Sequence, residues 1–259
     1  MTFQHILVEK EEQLALITIN RPEVRNAINK ETLDEIVTSL ESIKNDDQIR
    51  CVIFTGQGEK SFAAGADISQ LTKKTASDAL TNNGMQQVYD YIESYEKPTI
   101  AMVNGYALGG GCELAMACDI RVASTAAKFG LPELNLSIIP GAGGTQRLSR
   151  LVGKGKAMEW ILTGKIISSE EAMQFGLVSD TASPQELFEK TKSIADQILA
   201  KGPLAVKLAK LSVHSGYETD MKTGLMIEKL SQAILFNSDD KNEGTTAFLE
   251  KRKPEFKGV

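Results

Sequence analysis

The chain reads as an α/β protein that ends in helices alone, and three observations carry that reading. Short apolar runs ending in glycine alternate with amphipathic helical patterns. Glycine clusters stand where strand patterns give way to helical ones. Beyond about Pro184 the strand signals stop altogether.

Taken in order, HILVEKEEQLALITIN alternates apolar and polar residues around a polar centre at Glu11 and Glu12, which predicts two antiparallel strands. From Asn29, Leu33, Ile36, Val37, Leu40 and Ile43 recur at helical spacing, and Asn29 is suited to cap that helix. CVIFTG (51–56) is a continuous apolar run, the pattern of a strand buried on both faces. Residues 70–96 begin polar and end with Met85, Val88, Tyr89 and Ile92 at helical spacing, predicting a mobile loop that feeds a helix. Pro98 breaks it. TIAMVNG (99–105) then reads as a strand, GGGCELAMAC (109–118) as a helix and IRVAS (120–124) as a strand.

A second glycine cluster, PGAGGTQRL (140–148), precedes a helix through 157–162. SSEEAMQFGLVSD (168–180) predicts a helix opened by a serine cap and closed by Gly176. The remainder, from QELFEKTKSIADQILAK through PLAVKLAKLSVHSGY to EGTTAFLEKRK, is helical in pattern, with Pro203 and Gly216 as punctuation. There is no fixed-period repeat and no low-complexity tract.

Bulk properties narrow the function classes. The 259 residues, 42% hydrophobic and 24% charged, suit one well-packed domain or one with an appendage. With 29 basic against 34 acidic residues the net charge of −5 gives no general attraction to nucleic acid or to an anionic membrane. The N-terminus lacks a basic start before an apolar run, and no stretch of about 20 residues is apolar throughout, so a soluble, cytoplasmic protein is expected. Cys51, Cys112 and Cys118 match neither a disulfide framework nor a metal pair and read as small core residues. His5 and His214 are the only histidines, which rules out a histidine-rich metal site; each reads as a surface or structural side chain.

Common catalytic motifs fail on spacing. No G-x-S-x-G elbow exists. GAGGTQ (141–146) has Gln146 where a dinucleotide fingerprint needs its third glycine, and Gly164–Lys165 is followed by Ile166 with no P-loop glycine before it.

Two glycine corners and two glutamates remain. If TIAMVNG is a strand and GCELAMAC a helix, residues 109–111 sit at a helix N-terminus, where amides are unpaired and the partial charge is positive. SFAAGADIS (61–69) follows CVIFTG, is built of small residues and carries Asp67, which can cap the next turn. Two amides from two such corners could clasp one oxygen, as in an oxyanion hole; equally, both corners could be tight turns in which glycine serves only packing. Glu113, three residues past Gly110, falls on the first helical turn over the same opening, unless it points to solvent and merely complements the helix dipole. Glu133 follows Pro132 among apolar residues; its alternative is an exposed turn carboxylate. Two carboxylates sharing a dry pocket perturb each other, so that one holds a proton while the other accepts one. That is acid/base chemistry without histidine.

Taken together, ITINRPEVRNAIN (17–29), SFAAGADIS (61–69), KPTIAMVNGYALGGGCELAMACDIRVAS (97–124), FGLPELNLSIIPGAGGTQRL (129–148) and AFLEKRKPEF (247–256) resemble the crotonase, or enoyl-CoA hydratase/isomerase, superfamily, and within it the enoyl-CoA hydratases. The resemblance covers nearly the whole length. It implies an α/β, crotonase-like spiral of ββα units with an all-helical C-terminal region. Residues 1–195 would form the spiral core with the active site and residues 196–259 a helical trimerisation region, with two trimers commonly stacked into a hexamer.

The resemblance further implies oxyanion amides at Ala66 and Gly110, catalytic carboxylates at Glu113 and Glu133, and a CoA-contacting loop of Ala64, Ala66, Asp67, Ile68 and Ser69. Lys251 resembles the basic residue that approaches the CoA phosphates, sometimes from a neighbouring subunit. The implied reaction is reversible syn hydration of 2-trans-enoyl-CoA thioesters, with no metal and no cofactor apart from the CoA of the substrate. The alternatives are a Δ3,Δ2-enoyl-CoA isomerase and an RNA-binding homologue; the latter would use a lysine-rich first helix, whereas NKETLDEIVTSLESIKNDD carries more acid than base.

Overall fold

The computed structural model describes residues 3–72, 74–80 and 84–259. Strands β1 (Ile6–Glu11) and β2 (Leu14–Ile19) form the expected antiparallel hairpin, with Ile6 opposite Ile19. Its turn lies one position later than the polar centre predicted, because Glu11 is still paired and Glu12 takes the left-handed conformation at φ +51°. A short 3-10 turn, Pro22–Val24, leads to helix α1 (Lys30–Lys44), whose Asn29 cap accepts from the Thr32 amide. The buried face of α1 is Thr32, Leu33, Ile36, Ser39, Leu40 and Ile43, the helical spacing read from the sequence.

Three successive turns then share one plan: a first strand, a short second strand, then helix. The first turn is β3 (Cys51–Gly56), β4 (Ser61–Ala63) and helices α2 (Ile68–Leu71), α3 (Ala76–Ala79) and α4 (Met85–Glu93). The second is β5 (Thr99–Val103), β6 (Tyr106–Leu108) and α5 (Gly110–Ala117). The third is β7 (Ile120–Ser124), β8 (Lys128–Gly130), a 3-10 turn at Pro132–Leu136, then α6 (Gly144–Val152) and α7 (Lys154–Thr163). The chain closes the spiral with β9 (Ile167–Ser168), α8 (Ser169–Gln174) and β10 (Asp180–Ala182). First strands stack in one sheet, in the order β1-β2-β3-β5-β7-β10, and second strands in another, β4-β6-β8-β9. This is the ββα spiral.

The large sheet is apolar on both faces, which is why its central strands read as unbroken hydrophobic runs. Val52, Phe54, Ala101, Val103 and Ala123 face a core shared with α1, α4 and α5. Their neighbours Cys51, Ile53, Ile100, Met102 and Val122 face a second cluster with Leu187 and Ala195 of helix α9 (Leu187–Leu199). The three cysteines are buried and free, as expected.

Several expectations need correcting. The three-residue strands β4, β6, β8 and β10 and the two-residue β9 were not predicted, being too short to show a period of two. The second glycine cluster opens α6 directly at Gly144, a helix the reading passed over in favour of the later one that is α7. In the 70–96 segment, where a mobile loop feeding a helix was expected, the helix is present as α4, and the described part of the stretch before it holds the end of α2 and the whole of α3; residues 73 and 81–83 lie outside the described residues. Helices α10 (Pro203–Tyr217), α11 (Met221–Phe236) and α12 (Asp239–Glu250) complete the helical end. Gly216 is not punctuation: it lies inside α10, where a Cβ would stand 3.7 Å from the Gly224 Cα of α11, so the two glycines permit a close helix crossing. The expected boundary at 195/196 falls within α9. No helix among the described residues is long and apolar enough to cross a membrane.

Candidate active site

The second strands β4 and β6 run parallel and end side by side, so the corners that follow them meet. At the β6 corner Gly109 adopts φ +50°, ψ −125°, a conformation open essentially to glycine, and α5 starts at once with Gly110 at its N-terminus. At the β4 corner Gly65 takes φ +108°, and a Cβ there would come within 3.9 Å of the Gly110 nitrogen. A Cβ on Gly110 would in turn lie 3.6 Å from the Ala66 nitrogen. The amides of Ala66 and Gly110 are therefore neighbours, and neither has an acceptor among the described residues. Gly111 serves packing: a Cβ would lie 2.0 Å from the Ala63 carbonyl oxygen, so α5 lies directly on β4.

Helix α5 is held at both ends: by side chains of α4 that the sequence placed only on a helical face, and by Arg121, which it did not single out. At its N-terminus the buried Tyr89 hydroxyl of α4 donates to the Gly110 carbonyl at 2.8 Å, and Met85 lies over Gly110. At the opposite end the buried Arg121 guanidinium donates to the carbonyls of Cys118 (2.6 Å) and Ala115 (3.3 Å), placing a cation where the helix dipole is negative.

Glu113 sits on the first turn of α5, as expected, but it does not point to solvent: the residue is 2% exposed. Its Oε1 accepts from the amides of Ala142 and Gly144, each at 2.8 Å. The second glycine cluster is thus a cradle for this carboxylate. Gly144 must be glycine there, since a Cβ would stand 2.8 Å from Glu113 Oε1. Burial raises the Glu113 pKa, opposed by those two amides and by the Arg147 charge.

Glu133 enters from the 3-10 turn Pro132–Leu136. Its Oε1 would be 2.9 Å from a Cβ on Gly109, which puts the carboxyl against the first glycine corner. Its Oε2 is buried and has no partner among the described residues. Burial therefore pushes Glu133 up to about 7, its own backbone amide opposes the shift and the like charge of Glu113 adds to it. The two carboxyls have unlike surroundings: one is clasped by two amides of the second glycine cluster, the other has a buried oxygen, Oε2, without a partner among the described residues.

Both line one cavity of about 310 Å³, together with Ala64, Ala66, Gly110 and Ile68. Leu136, Ile138 and Ile139 supply apolar wall on the side of Glu133. Asp67 and Ser69 stand just outside it. Asp67 caps α2 through the Ser69 amide and hydroxyl, and pairs with Arg21 at 3.1 Å. Asp67 also lines an adjoining groove with Gln70 and Lys74. Lys251 is exposed at the C-terminal end of α12 and is not part of either lining.

Comparison with known proteins agrees along the whole length. The family model described as enoyl-CoA hydratase/isomerase matches residues 9–259. A crotonyl-CoA hydratase of Syntrophomonas wolfei is 48% identical over 99% of both chains. A short-chain-enoyl-CoA hydratase of Clostridium acetobutylicum is 46% identical over 98% of both. The crystal structure of an enoyl-CoA hydratase from Bacillus anthracis superposes with a TM-score of 0.94 at 40% identity, covering 99% of this chain and all of that one. Matches of such length and identity admit one conclusion: the chain belongs to the enoyl-CoA hydratase/isomerase family, the crotonase superfamily.

Proposed function

We propose that the protein catalyses the reversible syn hydration of 2-trans-enoyl-CoA thioesters to 3-hydroxyacyl-CoA. The observation that carries the proposal is the pairing, in one cavity, of two unengaged amides with two buried carboxyls in unlike surroundings. The thioester carbonyl accepts from the N–H groups of Ala66 and Gly110, which stabilise the negative charge that develops on its oxygen as water adds at C3. Each donor of this kind is typically worth about 3–4 kcal/mol in the transition state.

Glu113, fixed through Oε1, holds and activates the water with its remaining oxygen. Glu133 carries the proton between water and C2, a task suited to a carboxyl titrating at about 7. The water oxygen bonds to C3, one of its protons reaches C2, and the C2–C3 double bond is consumed; no charge is left over. The reverse steps dehydrate the product.

Ala64, Ala66, Asp67, Ile68 and Ser69 form the loop over which the CoA arm passes, the first two and Ile68 from the cavity itself. Lys251 lies outside the cavity of its own chain, so we assign its contact with the CoA phosphates to an assembly in which another subunit supplies it. A trimer, alone or paired as a hexamer, fits the exposed apolar side chains of the helical end, among them Val213, Met221, Phe236, Phe248 and Leu249. Three free, buried cysteines fit a reducing compartment, the cytoplasm. The small cavity, and the crotonyl- and short-chain specificity named for two relatives, favour short acyl chains.

The test is incubation of the purified protein with crotonyl-CoA, longer 2-enoyl-CoA thioesters and a 3-enoyl-CoA. Formation of 3-hydroxyacyl-CoA, fastest with the shortest chains, is expected. Double-bond migration without hydration would replace this reading with the isomerase.

A further inference from the structure

Arg147 is outside the cavity lining, is buried, and yet makes four hydrogen bonds. Its Nε and Nη2 donate to Glu93 Oε2 at 2.9 and 2.6 Å, and Nη2 also reaches Asp90 Oδ1 at 2.6 Å, so one guanidinium is anchored to two carboxylates of α4. Its Nη1 donates to the Ala142 carbonyl at 2.9 Å. Ala142 is the residue whose amide, 2.8 Å away, holds Glu113 Oε1. The guanidinium lies so close under the loop that a Cβ on Gly143, at φ +98°, would stand 2.0 Å from Nη1. Helix α4 meanwhile bears Tyr89, which donates to the Gly110 carbonyl. One helix therefore braces both the oxyanion corner and, through Arg147, the cradle of the carboxylate.

We propose that Arg147 is a positioning residue for the hydration step: it clamps the 140–144 loop to α4 and so aims the Ala142 and Gly144 amides that fix the Glu113 carboxyl toward the water. The inference rests on the hydratase reading for its kinetic test. The titratable or charged groups around Glu113 are Glu133 from the 3-10 turn, Tyr89 from α4, Cys112 beside it on α5 and Arg147 from α6. Arg147 is the cation of the set. Removing it takes away one of the influences that oppose burial, so Glu113 protonates at higher pH and the acid limb of kcat moves upward. A residue that merely stabilised the fold would leave that limb in place.

The experiment compares Arg147→Met, Arg147→Lys and Glu93→Gln in the full chain, with kcat and KM for crotonyl-CoA followed across the acid and neutral range. Near-ultraviolet circular dichroism and CoA-thioester binding report the fold. Arg147→Met should lower kcat roughly tenfold to a hundredfold with KM little changed, and raise the acid limb by more than about half a pH unit. Arg147→Lys should recover part of both effects, and Glu93→Gln should move both in the same direction by less. If Arg147→Met does not fold, the other two variants still carry the expectation. Folded variants with full activity, or with lowered activity and an unmoved acid limb, overturn the proposal. Should the unmodified protein fail to hydrate crotonyl-CoA, it is the hydratase reading that falls; carbon-13 titration of glutamate carboxyls in the same variants then decides, and an unmoved Glu113 rejects the clamp.

Discussion

Replacing Glu113 by glutamine and by alanine should separate its structural work from its chemical work. Glutamine keeps an Oε1 that can accept both 2.8 Å bonds from the Ala142 and Gly144 amides. Alanine leaves those two buried donors unpaired, at about 1–3 kcal/mol each, or roughly 2–6 kcal/mol together. For a chain of this size that is a fall in Tm of at least about 4 °C. Both variants lose the carboxylate, and hydration of crotonyl-CoA should slow by about 10²–10⁴-fold, some 3–5 kcal/mol of barrier.

The pH dependence sharpens the test. Burial raises the folded pKa of Glu113 above its ordinary 4.5, so its ionisation stabilises the fold less than the unfolded chain. The contribution is fully present below the unfolded pKa and is lost as pH rises through the folded one. Glutamine does not titrate. Glu133 also loses a like charge in the variant and becomes easier to ionise, which adds to the effect at neutral pH. The Tm of Glu113→Gln relative to the unmodified protein should therefore grow more favourable between about pH 5 and pH 8. Scanning calorimetry across pH, beside hydration followed by loss of the conjugated thioester absorbance, measures both. A Tm difference that shrinks toward alkaline pH would mean that the two amides outweigh burial, and the reasoning would be wrong.

Glu133→Gln should fold and bind CoA thioester while kcat falls by at least about a hundredfold; near-normal turnover rejects its role as proton carrier. In the unmodified protein one glutamate carboxyl should titrate at about 7 in a carbon-13 spectrum and be missing from that variant. Gly110→Pro places proline at the first position of α5, where a helix tolerates it provided the Met85 Sδ, 2.7 Å from the new Cβ, moves aside, and deletes one of the two proposed oxyanion donors, so activity should drop about 10²–10³-fold. A folded, fully active protein would remove that amide from the mechanism. Gly111→Ala drives a Cβ to 2.0 Å from the Ala63 carbonyl and should prevent folding or lower Tm sharply, read by thermal unfolding; an unchanged Tm would contradict the packing of α5 on β4.

Residues whose pattern is set by burial were legible from the sequence. Cys51–Gly56 and Ile120–Ser124 are strands with the bounds expected, because both faces of the large sheet are covered and their positions are apolar or small apart from Arg121, which is buried against backbone carbonyls. Asn29, Asp67 and Ser168 cap the helices they were expected to cap, since capping is decided within three residues of chain. The second sheet was not legible. Its strands are held by pairing with segments about 20 to 45 residues away, and nothing local marks Lys128–Gly130 as a strand.

The site divided in the same way. Glu113 and Glu133 could be singled out as charges in apolar context, but the sequence left open whether each faced solvent. The partners of Glu113 were hidden in GAGGTQ, which failed as a dinucleotide motif and was not read from its residues as a cradle for a carboxylate. Its signal was a glycine cluster followed by Arg147, the first of two arginines in its helix, whose carboxylate partners lie more than 50 positions upstream.

Among the described residues neither carboxyl has a cation in direct contact, which bears on how the proposed site would hold one acid and one base. A salt bridge to either would have fixed it as a permanent anion and held its pKa low. Here the discrimination comes from dipoles. Two amides converge on a single oxygen of Glu113 and favour its charged form, while the buried Oε2 of Glu133 has nothing to accept from among the described residues. The Arg147 guanidinium, one peptide away on the far side of Ala142, acts on Glu113 through its charge and leaves the second carboxylate oxygen free for the water of the proposed mechanism. Glu93 and Asp90 keep it there. An arginine in direct contact with Glu113 would stabilise the anion more and catalyse less, because the carboxylate would be spent on the ion pair.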